Sequence, residues 1–262
     1  MGRLNKRVVV IIGGTAGIGL SAAKAFIDEG AKVVALGRDR KDDARARAHL
    51  GKSAMVLVGD ATNPATAKRA IARALKEFGG FHGLYHVAGG SGRRMGDGRL
   101  HEITNEGWEF TLRLNLASVF YSNRAATQQF LQQRSAGTIL NVGSVLGFSP
   151  SPKFFCTHAY AAAKAAIVGL TRAAAACYAA DNIRFNVLSP GSIATPMSQR
   201  AQENETIMKF LRSKQPLDGG RMGRPDDLDA AAVFFMSADS RFVTGQDLTV
   251  DGGWSVTEGQ IP

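Results

Sequence analysis

Short β-branched runs alternate with longer stretches of helical period along the whole chain, and this rhythm narrows the fold more than any other feature. The runs at 7–12, 32–36, 54–58, 83–87, 137–143, 183–188 and 246–250 read as strands. Several are almost continuously apolar, as strands covered on both faces must be. Helical patterns fall between them near 18–29, 40–49, 64–78, 104–133, 159–179 and 225–237. Strands that alternate with helices of this length predict an α/β fold. Its expected form is doubly wound, a seven-stranded, mainly parallel sheet with helices on both faces. Asn63 and Pro64 read as an N-cap followed by proline at the first helical position, and Gly30 as a helix stop.

With 262 residues, 45% of them apolar, the chain has enough material for one domain spanning 1–262 with a substantial core. Residues 1–6 are short and polar, unlike a secretory leader. No apolar run approaches the roughly 20 residues that cross a bilayer. A soluble, cytoplasmic protein with no membrane partner is therefore expected. Cys156 and Cys177 have no metal-type spacing and no histidine cluster beside them, so two free thiols and no metal site are expected. The net charge of +10 raises the question of nucleic acid. The basic residues are scattered, however, and no run combines them with aromatic stacking positions. Such a surface also attracts anionic substrates and cofactors.

The segment from Val8 through Ile12 into Gly13, Gly17 and Gly19 reads as strand, tight turn and helix start. Glycine lets backbone N–H groups approach a pyrophosphate, and a helix N-terminus favours its charge. The spacing is three residues and then one, which differs from the G-x-G-x-x-G order. Tyr160 and Lys164 lie four apart, on one face of a helix. An ammonium there is expected to favour ionised tyrosine and lower its pKa. Ser144, at the carboxyl end of a central strand, is placed to hydrogen-bond a substrate oxygen. The polar stretch 192–223, with a short helix near 203–214, is long for a connection and reads as a substrate loop or lid.

Taken in order, these landmarks resemble the single-domain short-chain dehydrogenases/reductases over essentially the whole chain. The family's T-G-x-x-x-G-x-G turn matches at Gly13, Gly17 and Gly19, with Ile12 in place of the threonine. Its N-N-A-G stretch appears as His86-Val87-Ala88-Gly89, a departure in the first two positions. Gly223-Arg224-Pro225 and Asp251-Gly252-Gly253 match its C-terminal signature.

The resemblance implies a Rossmann-type fold and hydride transfer between a nicotinamide cofactor and a carbonyl or secondary-alcohol substrate. It implies that Tyr160 exchanges the proton, Lys164 tunes Tyr160 and holds the nicotinamide ribose, Ser144 orients the substrate oxygen, and Asn115 supports a proton relay. Cofactor contacts are implied at Gly13, Thr15, Ala16, Gly17, Ile18 and Gly19, then at Gly37, Arg38, Asp60, Ala61, Ala88 and Gly89. Tyr160, Lys164, Pro190, Gly191, Ile193 and Thr195 complete the set. A homotetramer is implied as well, in keeping with the alanine-rich circumference of the helix at 159–180.

After the second strand, Gly37 is expected to leave open the space an acidic side chain would fill, and Arg38 to pair with a 2′-phosphate. This favours NADP, with NAD as the alternative should Asp39 swing towards the ribose. A lyase or epimerase, a nucleotide-binding sensor and a nucleic-acid binder are competing classes, since fold does not fix chemistry. His86 reads first as a satisfied residue beside the fourth strand. Arg93, Arg94 and Arg99 read as solvated loop charges, with an acidic substrate or carrier as the sharper alternative. Phe148, Phe154, Phe155 and Met197 flank the expected pocket.

Overall fold

The computed structural model describes residues 2–259. Its strands are β1 (Val8–Ile12), β2 (Lys32–Gly37), β3 (Ala54–Val58), β4 (Gly83–His86), β5 (Gly137–Val142), β6 (Ile183–Pro190) and β7 (Asp247–Val250). They form one sheet in the order β3-β2-β1-β4-β5-β6-β7, and every adjacent pair is parallel. The sheet is thus wholly rather than mainly parallel. The strand order reverses between β1 and β4, which opens a crevice at their carboxyl ends.

The helices are α1 (Gly17–Asp28), α2 (Arg40–Leu50), α3 (Ala65–Phe78), α4 (Asn105–Leu112), α5 (Ser118–Gln133), α6 (His158–Tyr178), α7 (Gln199–Gln202), α8 (Glu205–Lys214), the short turn α9 (Leu217–Gly220) and α10 (Asp229–Met236). Alternate side chains of β1 serve opposite layers. Val9 and Ile11 pack with Phe26 of α1 and Val233 of α10, while Val8, Val10 and Ile12 pack with Ile71 of α3 and Phe130 of α5. Each such fully buried side chain contributes roughly 1.5–3 kcal/mol. Gly30 ends α1 with φ +91°, its N–H and that of Ala31 bonding back to Ile27 and Phe26. At α3, Asn63 caps through its side chain onto the N–H of Ala65.

Two expectations change. The single helix over 104–133 is two helices joined by a π-helical turn, Arg113–Ala117. That turn lies where Asn115 bonds out of the helix to Gly90, and such insertions often mark functional positions. In the 192–223 segment the short helix expected near 203–214 is α8, and the four-residue α7 and α9 add helical turns that the sequence reading lacked. From α8, Ile207 and Leu211 pack with Val145, Met222 and Trp254 in a satellite core.

Candidate active site

The glycine turn is built by backbone proximity. Gly13 has φ +90°, and a Cβ there would fall 2.6 Å from the Ala88 nitrogen. A Cβ on Gly19 would fall 1.9 Å from the Gly13 carbonyl oxygen. β1, the start of α1 and the end of β4 therefore meet at this point. The first turn of α1 holds no acidic residue, and Ala16 at its N-cap offers no side-chain bond. The N–H groups of this helix start are thus available to a pyrophosphate, and its glycine cradle fits one. A groove of about 440 Å³ opens beside the turn, lined among others by Thr15, Ala16, Gly17, Ala194 and Pro196. Thr195 closes on the turn, its methyl group 3.2 Å from where a Gly17 Cβ would lie. Ile18, by contrast, packs against the sheet. Pro190 ends β6 opposite Val250, Gly191 donates to the Val250 carbonyl, and Ile193 bridges to Gly223.

The expected open space at Gly37 is filled. A Cβ there would lie 1.8 Å from Thr15 Oγ1, because the buried Thr15 side chain leans from the turn onto the end of β2. Asp39 is held elsewhere, its carboxylate accepting the Lys41 N–H at 3.0 Å as the cap of α2. Asp60 lies beyond β3 with Ala61 next to it. One Asp60 oxygen accepts both the N–H and the hydroxyl of Thr62 at 2.8 Å. Those bonds, with the charges of Arg38 and Arg113, hold its carboxyl below the usual range.

The chemistry-bearing side chains converge on the far side of the crevice. Tyr160 and Lys164 project from the first turns of α6. The Lys164 Nζ donates to the Val142 carbonyl at 2.8 Å and lies 5.5 Å from the Tyr160 ring centre. It also lies 3.6 Å from where a Gly89 Cβ would be, which places the end of β4 against it. Burial lowers Lys164 to about 8. Tyr160 departs from the sequence-based expectation: burial raises it to about 12, opposed by the neighbouring Ser144 hydroxyl. Lys164 spends its bond on Val142 while desolvation dominates at the phenol. Ser144, at the end of β5, also accepts the Leu146 N–H. Asn115 is buried, its oxygen accepting from the Gly90 N–H and its amide donating to the carbonyls of Gly90 and Thr111. Its carboxamide therefore fastens the post-β4 loop to the helix.

Sequence reading missed Asp97. Its two carboxylate oxygens accept the Ala159 and Tyr160 N–H groups, each at 3.0 Å, capping the helix that carries the tyrosine. A lone aspartate between two glycines, some sixty residues upstream, carries no local signal of that pairing. His86 is satisfied, as the structural reading expects. Its Nε2 faces the Ala88 carbonyl at 3.0 Å and its Nδ1 the Ser122 hydroxyl at 2.7 Å. Burial, with the Lys164 charge, lowers it to about 3, so the ring is neutral. Phe154 and Phe155 belong to the satellite core, whereas Phe148 and Met197 are exposed.

A glycine cradle at the sheet's switch point and Ser144, Tyr160 and Lys164 across the crevice form the arrangement that the short-chain resemblance implies. Residues 13–255 match the family described as enoyl-(acyl carrier protein) reductase. Among curated proteins, 2-(S)-hydroxypropyl-CoM dehydrogenase 3 of Xanthobacter autotrophicus is 36% identical over 258 residues, 96% of this chain and 97% of that one. Dehydrogenase/reductase SDR family member 6 of Rattus norvegicus is 31% identical over 261 residues, 98% of this chain and 100% of its own. The crystal structure of gox2181 superposes with a TM-score of 0.89 at 27% identity, covering 97% of each chain. The chain belongs to the short-chain dehydrogenase/reductase family, whose dehydrogenases use NAD(H) or NADP(H). Among the described residues no helix is long and apolar enough to cross a membrane.

Proposed function

We propose that the protein reduces a small-molecule carbonyl compound to a secondary alcohol, with Tyr160 as the proton donor. The observation that carries this reading is the convergence of the half-buried Tyr160 with the buried Ser144 and Lys164 at the carboxyl end of the sheet, where the Lys164 Nζ lies 5.5 Å from the Tyr160 ring centre. A phenol near 12 keeps its proton at neutral pH and is ready to give it to a carbonyl oxygen. Ser144 orients that oxygen. Lys164 supplies positive charge below the phenol and would hold the nicotinamide ribose, with Asn115 keeping the neighbouring loop in place. The nicotinamide, when bound, supplies the hydride.

The residues around the glycine turn, from Gly13 to Gly19, would hold the pyrophosphate, and Asp60 with Ala61 the adenine. We take NADP(H) as the cofactor. Arg38 is exposed at the end of β2, and the competing carboxylate of Asp39 is engaged as a helix cap. The segment 192–223 would act as a lid over a single catalytic domain. A cytoplasmic homotetramer is part of the same proposal. It is supported by two free cysteines and by exposed small residues along α6, among them Ala162, Ala165, Gly169 and Ala173. The test is a panel of ketones and aldehydes with NADPH and NADH, followed at the nicotinamide absorbance band. Cofactor oxidation faster with NADPH is expected. Product formation without any change in nicotinamide would favour a lyase or epimerase instead.

A further inference from the structure

Segments bordering Tyr160 at the carboxyl edge of the sheet bring cations to one place. Arg93 comes from the loop after β4 and Arg200 from α7, beyond β6. Both donate to a single acceptor, the Phe154 carbonyl in the β5–α6 connection, at 3.2 and 2.9 Å. Two nitrogens held that close to one oxygen lie no more than about 6 Å apart, where like charges repel. Arg93 is half-buried, and burial and then the charge of Arg200 depress its pKa. Lys153 adds a third cation, 5.4 Å from the Phe154 ring centre, and Arg200 sits 5.9 Å from that of Phe155.

Nothing among the described residues neutralises this cluster by ion pairing: no carboxylate forms a salt bridge with Arg93, Arg200 or Lys153. Asp97 is the acid nearest in effect to Arg93, but each of its oxygens is taken by an α6 N–H. Each guanidinium carries five N–H donors, so one shared carbonyl leaves most of them open. Planar forks of this kind match oxyanions in a bidentate manner.

We propose that Arg93 and Arg200 form an anion subsite for the substrate, which carries a carboxylate, sulfonate or phosphate group at a distance from its reacting carbonyl. The anion displaces the shared contact with Phe154 while the carbonyl meets Tyr160 and Ser144. The inference rests on the reductase reading for the reaction, though not for the binding of the anion.

The test uses three matched pairs of ketones: 4-oxopentanoate with its amide, 4-oxopentane-1-sulfonate with its sulfonamide, and hydroxyacetone phosphate with hydroxyacetone. At least one charged member is expected to exceed its neutral partner tenfold or more in kcat/KM, and the responding pair identifies the anion. Arg200→Gln and Arg93→Gln should each cut that preference roughly tenfold, mainly through KM, as loss of one charge-assisted bond predicts. Neutral members used as well as every charged one, or a preference surviving both substitutions, overturns the inference. Should none of the six be turned over, the same compounds are titrated into the protein by calorimetry. A charged member that binds the wild type and not Arg200→Gln upholds the anion subsite while the reductase reading fails. Absence of binding by all three charged members overturns it.

Discussion

Replacing Asp97 by alanine removes both acceptors from the first turn of the helix that carries Tyr160 and Lys164. Two N–H groups, on Ala159 and Tyr160, lose partners at 3.0 Å in a site where Asp97 is only 4% exposed. A cap of this kind is worth about 1 kcal/mol, and stranding a buried donor costs about 1–3 kcal/mol more. The combined loss is about 3 kcal/mol, which in a domain of this size lowers Tm by roughly 6–12 °C. Asp97→Asn keeps one acceptor but turns a donor towards the other N–H, so about half that loss is expected. Calorimetric unfolding of the three proteins measures the stabilities. Because one of the two bonds ends on the backbone of Tyr160 itself, turnover of Asp97→Ala on a substrate from the ketone panel should fall about tenfold, with KM changed less. The pH profile of kcat should move with it, which a loss of stability alone would not produce. A Tm within 1–2 °C of wild type with unchanged kcat would refute the capping role.

Gly19→Ala drives a Cβ to 1.9 Å from the Gly13 carbonyl oxygen. It should cost at least about 1–3 kcal/mol of stability and weaken cofactor binding in a fluorescence titration; normal affinity would contradict the turn geometry. Arg38→Ala should weaken NADPH roughly tenfold and leave NADH nearly unchanged, the scale of one charge-assisted bond; equal loss for both would remove the 2′-phosphate role. Asp229, which accepts from the Ser21 hydroxyl at 2.7 Å, is raised to about 6, chiefly by burial. Its folded pKa lies above the unfolded one, so the folded state is fully favoured below about pH 4 and loses that advantage as pH rises through 6. Asp229→Asn should therefore stabilise at pH 7.5 by about 1 kcal/mol, reduced for its partial exposure, and confer no gain at pH 4; the opposite trend in denaturant midpoints would reverse the assignment.

Local patterns made much of the fold legible. Val8 to Ile12 is apolar at every position because β1 is covered on both faces, and the glycines after it follow from backbone crowding. The pairing of Tyr160 with Lys164 follows from helical spacing alone. What escaped depends on contacts between distant segments. The space beside Gly37 is closed by Thr15 from another strand's turn, and the cap of α6 comes from Asp97 in the loop after β4. The upward shift of Tyr160 is not legible in the sequence, because spacing reveals a neighbouring ammonium but not the desolvation of the phenol. Of the helices in 192–223, α8 falls where the short helix near 203–214 is expected, whereas α7 and α9 span only four residues each and carry too little periodicity to read.

The most direct test of the mechanism is Tyr160→Phe, assayed on a confirmed carbonyl substrate alongside cofactor titration and thermal unfolding. Removing the hydroxyl leaves the ring packing intact, so unfolding and NADPH affinity should stay close to wild type. Turnover should fall by roughly a hundredfold or more, the scale of a positioned general acid. Near-normal reductase activity in this variant would contradict Tyr160 as the proton donor, whatever the fold and the cofactor site retain.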